Sequence, residues 1–588
     1  MKKTMRFFSL VIAIFMICSL TTVAFATAPT GHTITITNER EGYEYTAYQI
    51  FKGDLASTGE LSNIEWGNGV NGAALLTALQ KDAAFAACKD VADVANVLSA
   101  NSATDSAVAI RFAEIASAHV ATGVKSAYNS TDKEYTISGL ADGYYLVVNN
   151  KIPTGADAEN TTVSRFILKV VKSVEVAHKG TFPTVDKKIV EDGKKVNVNE
   201  ASIGDVVNYE IIGTLPSNIA DYDSYFYWFR DTLSKGLTYN NNIKIEMTNG
   251  NTTTDVTKYF DIFVEGGNGS ATMIHASITD LLELDNLENV GTITKDSVFT
   301  ITYSATLNEY AETNTGNPNT VDLIYSNNPN QDGEPSNEPP HEPPTPPTEP
   351  PTPPVPTGKT PEATVITYTT KLIVEKVDQD GNPLTGAEFQ LTGDGVKTTV
   401  ITKQVLVQVS DTEKAPEGAT LYYCLKDGTY TEVAPVEDTD EVKGTKDQYQ
   451  ANADGSITKD WFLKNVAEVV TKSETVAVKA FVGLDGKLSF TGLGAGTYTL
   501  TETTTPDGYN DADPVTFTIS FNADKKEWSS EDIDYVAGEF AFKIQVENVK
   551  GNTLPSTGGI GTTLFYIFGS LMFAGAAVLL ITKKRMVA

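Results

Sequence analysis

Cysteine is almost missing from this chain, with three in 588 residues. Cys18 falls in an N-terminal segment expected to be removed, and Cys88 and Cys424 fall in segments that read as separate domains, so a disulfide framework is excluded. Histidine is as scarce: the five are scattered, with no HExxH, no Cys–His pairing and no phosphate-cradling glycine loop elsewhere. That scarcity argues against an enzyme, and no metal or cofactor is expected. Positive charge is short too, at 45 Lys and Arg against 75 Asp and Glu, for a net −30. A nucleic-acid partner is excluded, because its phosphates would be repelled; the acidity suits a soluble, exposed protein. Long apolar runs occur only near the two ends.

Those ends carry the plainest patterns. Lys2, Lys3 and Arg6 precede an apolar run from Phe7 to Leu20 and the small-residue site Ala24-Phe25-Ala26. This is the layout of a secretory signal peptide, residues 1–26, with cleavage after Ala26 or, second, Ala28. The run is short of the ~20 residues a membrane span needs. At the other end, Leu554-Pro555-Ser556-Thr557-Gly558 is followed by an apolar stretch from Leu564 to Ile581 and then Lys583-Lys584-Arg585. The stretch is long enough for one transmembrane helix, and the basic tail would hold its end in the cytoplasm. Motif, span and tail in this order resemble the LPxTG cell-wall sorting signal of Gram-positive bacteria (residues 551–588). The resemblance implies that a sortase cuts between Thr557 and Gly558, keeps Thr557 as a thioester and passes it to an amine.

Between the two signals the composition is that of a mainly β protein, expected as tandem immunoglobulin-like β-sandwiches in series. Residues 31–178 read as a first domain, with strand patterns at Thr33–Thr37, Tyr43–Phe51, Tyr135–Ile137, Tyr144–Val148 and Phe166–Val176. An Ala-rich stretch from Ala73 to about His119 has helical spacing, which predicts helices inserted between strands. Ser138-Gly139-Leu140 followed by Gly143-Tyr144-Tyr145-Leu146-Val147 recurs in altered form as Thr491-Gly492-Leu493 and Gly496-Thr497-Tyr498-Thr499-Leu500, a short repeat signal between modules. A second domain is expected over residues 180–333. Residues 334–358, where Pro335 to Pro356 hold twelve of the 25 prolines, read as a semi-stiff polyproline linker. A third domain is expected over 359–550.

Strand parity singles out two lysines. In Val185-Asp186-Lys187-Lys188-Ile189, alternate residues share a face, so Lys187 lies with Val185 and Ile189; in Leu372-Ile373-Val374-Glu375-Lys376, Lys376 lies with Leu372 and Val374. A lysine on an apolar face is costly unless paired or neutral, the alternative being an ammonium that snorkels to solvent at a strand end. In the third domain Glu502, in Tyr498-Thr499-Leu500-Thr501-Glu502, and Asn548, in step with Phe542, Ile544 and Val546, are also placed to point inward from two further strands. Val374-Glu375-Lys376-Val377-Asp378, Gly386-Ala387-Glu388-Phe389, the Glu502 box and Asn548 together resemble the CnaB-type domain of Gram-positive pilins and adhesins. That resemblance implies an intramolecular isopeptide bond: the Lys376 amine condenses with the Asn548 amide and ammonia leaves. The chemistry is reasonable, because burial lowers a lysine's pKa and a protonated Glu502 can polarise the carbonyl and pass protons.

The second domain repeats the arrangement with other residues. Lys187 opens it, Asp231 sits in Phe229-Arg230-Asp231-Thr232-Leu233, and the last strand runs from Asn319 to Asn327. With Ile203-Gly204-Asp205 and the run from Asp231 to Tyr239, this resembles the isopeptide-forming D2 domain of fimbrial proteins. The resemblance gives Asp231, like Glu502, the role of catalytic carboxyl. Asn319 and Asn327 share one parity; if first and last strands are parallel, Asn319 faces Lys187, and Asn327 is the alternative.

A sortase-assembled fibre also needs a linking lysine, which such pilins carry in a motif resembling V-x-V-Y-P-K. Here Val174-Glu175-Val176-Ala177-His178-Lys179 keeps the valines and the lysine but has Ala-His where the motif has Tyr-Pro. Lys179 is the expected linkage residue, with Lys172 and Lys188 as fallbacks. The chain is thus identified as a secreted pilin, a shaft subunit covalently anchored to peptidoglycan. Its expected partners are a sortase, peptidoglycan, other copies of itself, minor pilins and host surface ligands. The alternative is a tip or basal pilin, or a monomeric wall-anchored adhesin.

Overall fold

A computed structural model describes residues 31–551, except 103–105, 152, 154–158, 164, 178–180, 288–291, 330–346, 355–356, 394 and 474–475. The signal peptide, Lys179, the sorting motif and the apolar stretch after it lie outside the described residues. Among the described residues no helix is long and apolar enough to cross a membrane. The chain divides into two compact units, one of residues 1–181 with 327–332, the other of residues 182–326 with 333–588.

The first unit is a two-sheet domain carrying three helices. One sheet orders Ala127–Asn129, Glu134–Leu140, His32–Thr37 and Val174–Ala177; the other is built on Glu44–Leu55 and Gly143–Lys151. Ile34 and Ile36 alternate with exposed or half-buried threonines and meet Tyr45, Tyr135 and Ile137 between the sheets. The Ala-rich stretch forms Gly72–Leu79, Val91–Ala100 and Ala107–Ser117, as its spacing predicts. Asn71, Asp90 and Ser106 cap these helices by accepting the amides of Ala74, Asp93 and Ala109. Their apolar faces pack Leu75, Leu79 and Phe112 onto Ile50 and Phe51 of the second sheet.

The second unit holds two β-sandwiches in series. In the first, one sheet orders Lys194–Val196, Val185–Glu191, Val206–Thr214, Val298–Leu307, Lys244–Asn249 and Thr252–Asp255. The facing sheet orders Val198–Glu200, Ala363–Tyr368, Asn317–Ser326, Tyr227–Leu233, Thr272–Ile278 and Asp261–Gly266. Their inner faces make one core that includes Tyr209, Phe229, Phe299, Tyr303 and Leu323, each such burial contributing ~1.5–3 kcal/mol against conformational entropy.

Two expectations change here. The strands of Lys187 and of Asn319 are not neighbours but belong to opposite sheets, so the lysine meets its partners across the core. The Pro-rich run does not separate the second and third domains. Thr357–Lys359 and Ala363–Tyr368 pair with Asn317–Ser326, Ser326 standing directly opposite Thr357, so the chain leaves this sheet and returns to it. The boundary expected at 358/359 therefore moves to Thr369, one residue between Tyr368 of one sandwich and Thr370 of the next. The β-branched residues from Thr364 to Thr367 pair well as a strand; the prolines ahead of them hid which domain they complete.

The third domain packs a sheet containing Thr398–Gln408, Lys487–Leu493, Thr370–Asp378 and Ala541–Asn548 on one containing Glu388–Gly393, Gly496–Thr504 and Val515–Asn522. Here first and last strands do run side by side and parallel, Lys376 opposite Val546 and Asp378 opposite Asn548.

Candidate functional site

Lys187 is 1% exposed, on a strand whose alternate residues Lys187 and Ile189 face the core while Asp186 and Lys188 face out. Its Nζ donates to Asp231 Oδ1 at 2.5 Å and to Tyr303 Oη at 2.9 Å. Tyr303 Oη donates in turn to Asp231 Oδ2, and Asn319 Nδ2 donates to the same Oη at 2.6 Å. The rings of Tyr209 and Tyr303, opposite each other in register, stack at 5.2 Å and lie beneath the amine at 5.4 and 5.3 Å. Asn319 Oδ1 is buried with no hydrogen-bond partner among the described residues. Burial holds the Lys187 amine down to about 8, opposed by the charge and hydrogen bond of Asp231.

The second centre uses in-sheet geometry. Lys376, also 1% exposed, donates to the carbonyls of Val377 and Val546 at 3.0 and 3.1 Å. Asn548, two residues beyond Val546 on the same face, donates from Nδ2 to both Glu502 oxygens at 3.0 and 3.1 Å. Its Oδ1 too is buried and unpartnered among the described residues. Glu502 reaches in from the opposite sheet, steadied by the Ala512 amide at 2.9 Å and the Thr505 hydroxyl. Burial lowers the Lys376 pKa, with Glu502 the largest opposing charge.

Each centre thus brings together a buried amine with a lowered pKa, a carboxyl and an amide whose carbonyl is unengaged. An uncharged amine is a nucleophile, the amide carbon is its electrophile, and the carboxyl is placed for proton transfer. Asn327 is elsewhere: its side chain donates to Thr161 and its carbonyl accepts from Val163, both in the first unit. Tyr303 and Tyr209 are absent from the sequence reading. The signal was available, since Phe299, Ile301, Tyr303, Ala305 and Leu307 share one buried face. A hydroxyl in that row raises the same question as a lysine beside Ile189.

Three family models match parts of the chain. Residues 203–329 match a family model described as Gram-positive pilin backbone subunit 2, Cna-B-like domain; residues 454–533 match a prealbumin-like fold domain, and residues 546–586 the LPXTG cell wall anchor motif. A trypsin-resistant surface T6 protein of Streptococcus pyogenes serotype M6 is 26% identical over 414 residues, covering 69% of this chain and 70% of that protein. Among solved structures, the T6 backbone pilin of serotype M6 Streptococcus pyogenes aligns with 90% of this chain and 100% of its own at 15% identity and TM-score 0.45. The full-length major pilin SpaD of Corynebacterium diphtheriae aligns with 90% and 100% at 17% identity and TM-score 0.38. With a pilin-backbone domain and an LPXTG anchor motif, the chain is a structural subunit of a pilus backbone that is anchored at the cell wall, similar to the pilins of Gram-positive bacteria.

Proposed function

We propose that this backbone subunit is locked by two autocatalytic isopeptide bonds, Lys187–Asn319 and Lys376–Asn548, with Asp231 and Glu502 as their carboxyls. The observation that carries the reading is the buried contact set of Lys187, Asp231, Tyr303 and Asn319, in which the amide carbonyl has no partner among the described residues. In the same scheme the apolar stretch after the LPxTG motif sits transiently in the membrane while a sortase takes Thr557, and Lys179 of the next copy attacks the thioester. Minor pilins and host surface ligands would join through the same covalent chemistry or the exposed faces of the shaft.

The test is the intact mass of the mature ectodomain. Each condensation releases one ammonia, so two bonds lower the mass by about 34 Da, at about 17 Da each. Asn319→Ala and Asn548→Ala should each abolish one bond and leave the other. An unshifted wild-type mass refutes the cross-links, and loss of the first bond in Asn327→Ala but not Asn319→Ala would move it to the other asparagine.

A further inference from the structure

The two centres solve the same problem differently. In the third domain the carboxyl touches the leaving nitrogen directly, Glu502 to Asn548 Nδ2. In the second domain no hydrogen bond among the described residues joins Asp231 to Asn319. Tyr303 stands between them, its single oxygen within hydrogen-bond distance of Lys187 Nζ at 2.9 Å, Asn319 Nδ2 at 2.6 Å and Asp231 Oδ2. Those two nitrogens are the atoms that exchange a proton in the condensation: one must lose it and the other gain it. Because the Tyr303 hydroxyl donates to Asp231, it can only accept from Asn319, which fixes Nδ2 toward the tyrosine and leaves Oδ1 on the other side. Tyr209, opposite Tyr303 in register, carries a buried hydroxyl close to the Asn319 and Thr367 side chains, which offset part of the upward push of burial on the phenol.

Resting on the isopeptide reading above, we propose that Tyr303 is a further catalytic residue of the second domain, a proton relay from the attacking to the leaving nitrogen. Neutral Lys187 Nζ forms the bond to Asn319 Cγ, and the proton it then sheds goes to Asp231 Oδ1. Tyr303 gives its hydroxyl proton to Nδ2 as the Cγ–Nδ2 bond breaks, so that the departing group leaves as ammonia. Asp231 returns one proton to the Tyr303 oxygen, and both residues end as they began. Aromatic rings packed around the amine keep water out, which suits an uncharged nucleophile.

Tyr303→Phe removes one oxygen and keeps the ring that stacks on Tyr209. The full mature chain is made by cell-free synthesis, and each bond is followed in time by mass spectrometry of its cross-linked peptide. The expected result is that Lys376–Asn548 forms at the wild-type rate while Lys187–Asn319 slows about 100-fold or more, the usual scale of lost general acid–base help. Equal rates for both bonds in wild type and variant overturn the relay. Incorporating 3-fluorotyrosine at 303 guards against a folding defect, since it preserves shape and lowers the phenol's pKa. It should shift the pH dependence of the first bond alone, and an unmoved profile again overturns the proposal. Absence of the Lys187–Asn319 bond from wild type would refute the parent reading, whereas its presence with an unaffected Tyr303→Phe refutes only the relay.

Discussion

On the proposed cross-link, a buried lysine would titrate differently before and after it becomes an amide. Before the bond forms, Lys187 is an amine whose pKa burial depresses to about 8 from 10.5. The unfolded chain therefore binds more protons than the folded one between those values, and stability rises with pH across that window. After the bond forms there is no amine left to titrate. Asn319→Ala keeps the amine, Asp231 and Tyr303, so it should gain stability from pH 8 to 10.5 while the cross-linked wild type does not respond through this group. Chemical denaturation across that range measures the difference, and parallel curves would mean that Lys187 is already protonated and satisfied. The proposed bond would close a loop of more than a hundred residues in each domain, a constraint on the unfolded chain of about 5 kcal/mol by analogy with a disulfide of that span. Glu502→Ala should then lower the stability of the third domain by about that amount and bring the intact mass one ammonia nearer to the mass its sequence gives without cross-links.

Among the elements, parity was legible and sheet membership was not. The alternation around Lys187, Lys376 and Asn548 identifies inward-facing residues because a strand has a period of two. It cannot say which sheet a strand joins, since that depends on pairings with segments a hundred or more residues away. Hence Asn319 follows only on the condition that first and last strands run parallel, and Lys187 and Asn319 stand across the sandwich, whereas the strands of Lys376 and Asn548 do lie side by side. The recurring glycine phrases had a structural meaning beyond likeness: Gly139 and Gly492 both take positive φ, at 79° and 94°, where the chain ends a strand in one sheet and starts the next in the other. Gly492 has a second duty. The Ile203 side chain packs where its Cβ would be, and the Ile203 amide donates to its carbonyl at 3.0 Å.

That contact belongs to the joint between the second and third domains, where Ala495 N–H donates to Glu200 at 2.6 Å, Gly494 N–H to Ser202 Oγ at 3.0 Å, and Lys397 pairs with Asp205. Thr369, the lone connecting residue, is buried and bonds to the Leu493 carbonyl. Burial raises the Glu200 carboxyl to about 7, with Glu191 and Asp205 adding to the rise and the Ala495 amide opposing it. A carboxyl with a raised folded pKa favours the folded state while protonated, so its contribution is full below about 4.5 and is lost as pH rises to about 7. Glu200→Gln mimics the protonated form. The wild type should therefore fall behind the variant in thermal stability between pH 5 and 8, and a difference that does not vary with pH would show that Glu200 stays charged in the joint.

For the whole molecule, the question is where load enters and leaves. If Lys179 receives the thioester of the previous subunit and Thr557 is given to the next, the two ends of the covalent path lie close in sequence to the two cross-links. Lys187 follows Lys179 by eight residues, and Asn548 precedes Thr557 by nine. Tension would pass from Lys187 to Asn319 and from Lys376 to Asn548 through single covalent steps, sparing most strands of both sandwiches. A linkage at Lys188, whose amine pairs with Asp186 on the outer face of the Lys187 strand, would pull on that strand directly. Lys179 follows the strand Val174–Ala177 by two residues; a lysine amine is mostly protonated at neutral pH, so a sortase site that used it would have to take up its proton. Lys179→Ala should abolish the ladder of covalent multimers in wall extracts while leaving a folded, wall-anchored monomer that carries both internal bonds. A ladder that persists in Lys179→Ala and vanishes in Lys172→Ala or Lys188→Ala moves the linkage, and a ladder untouched by all three removes it from this boundary.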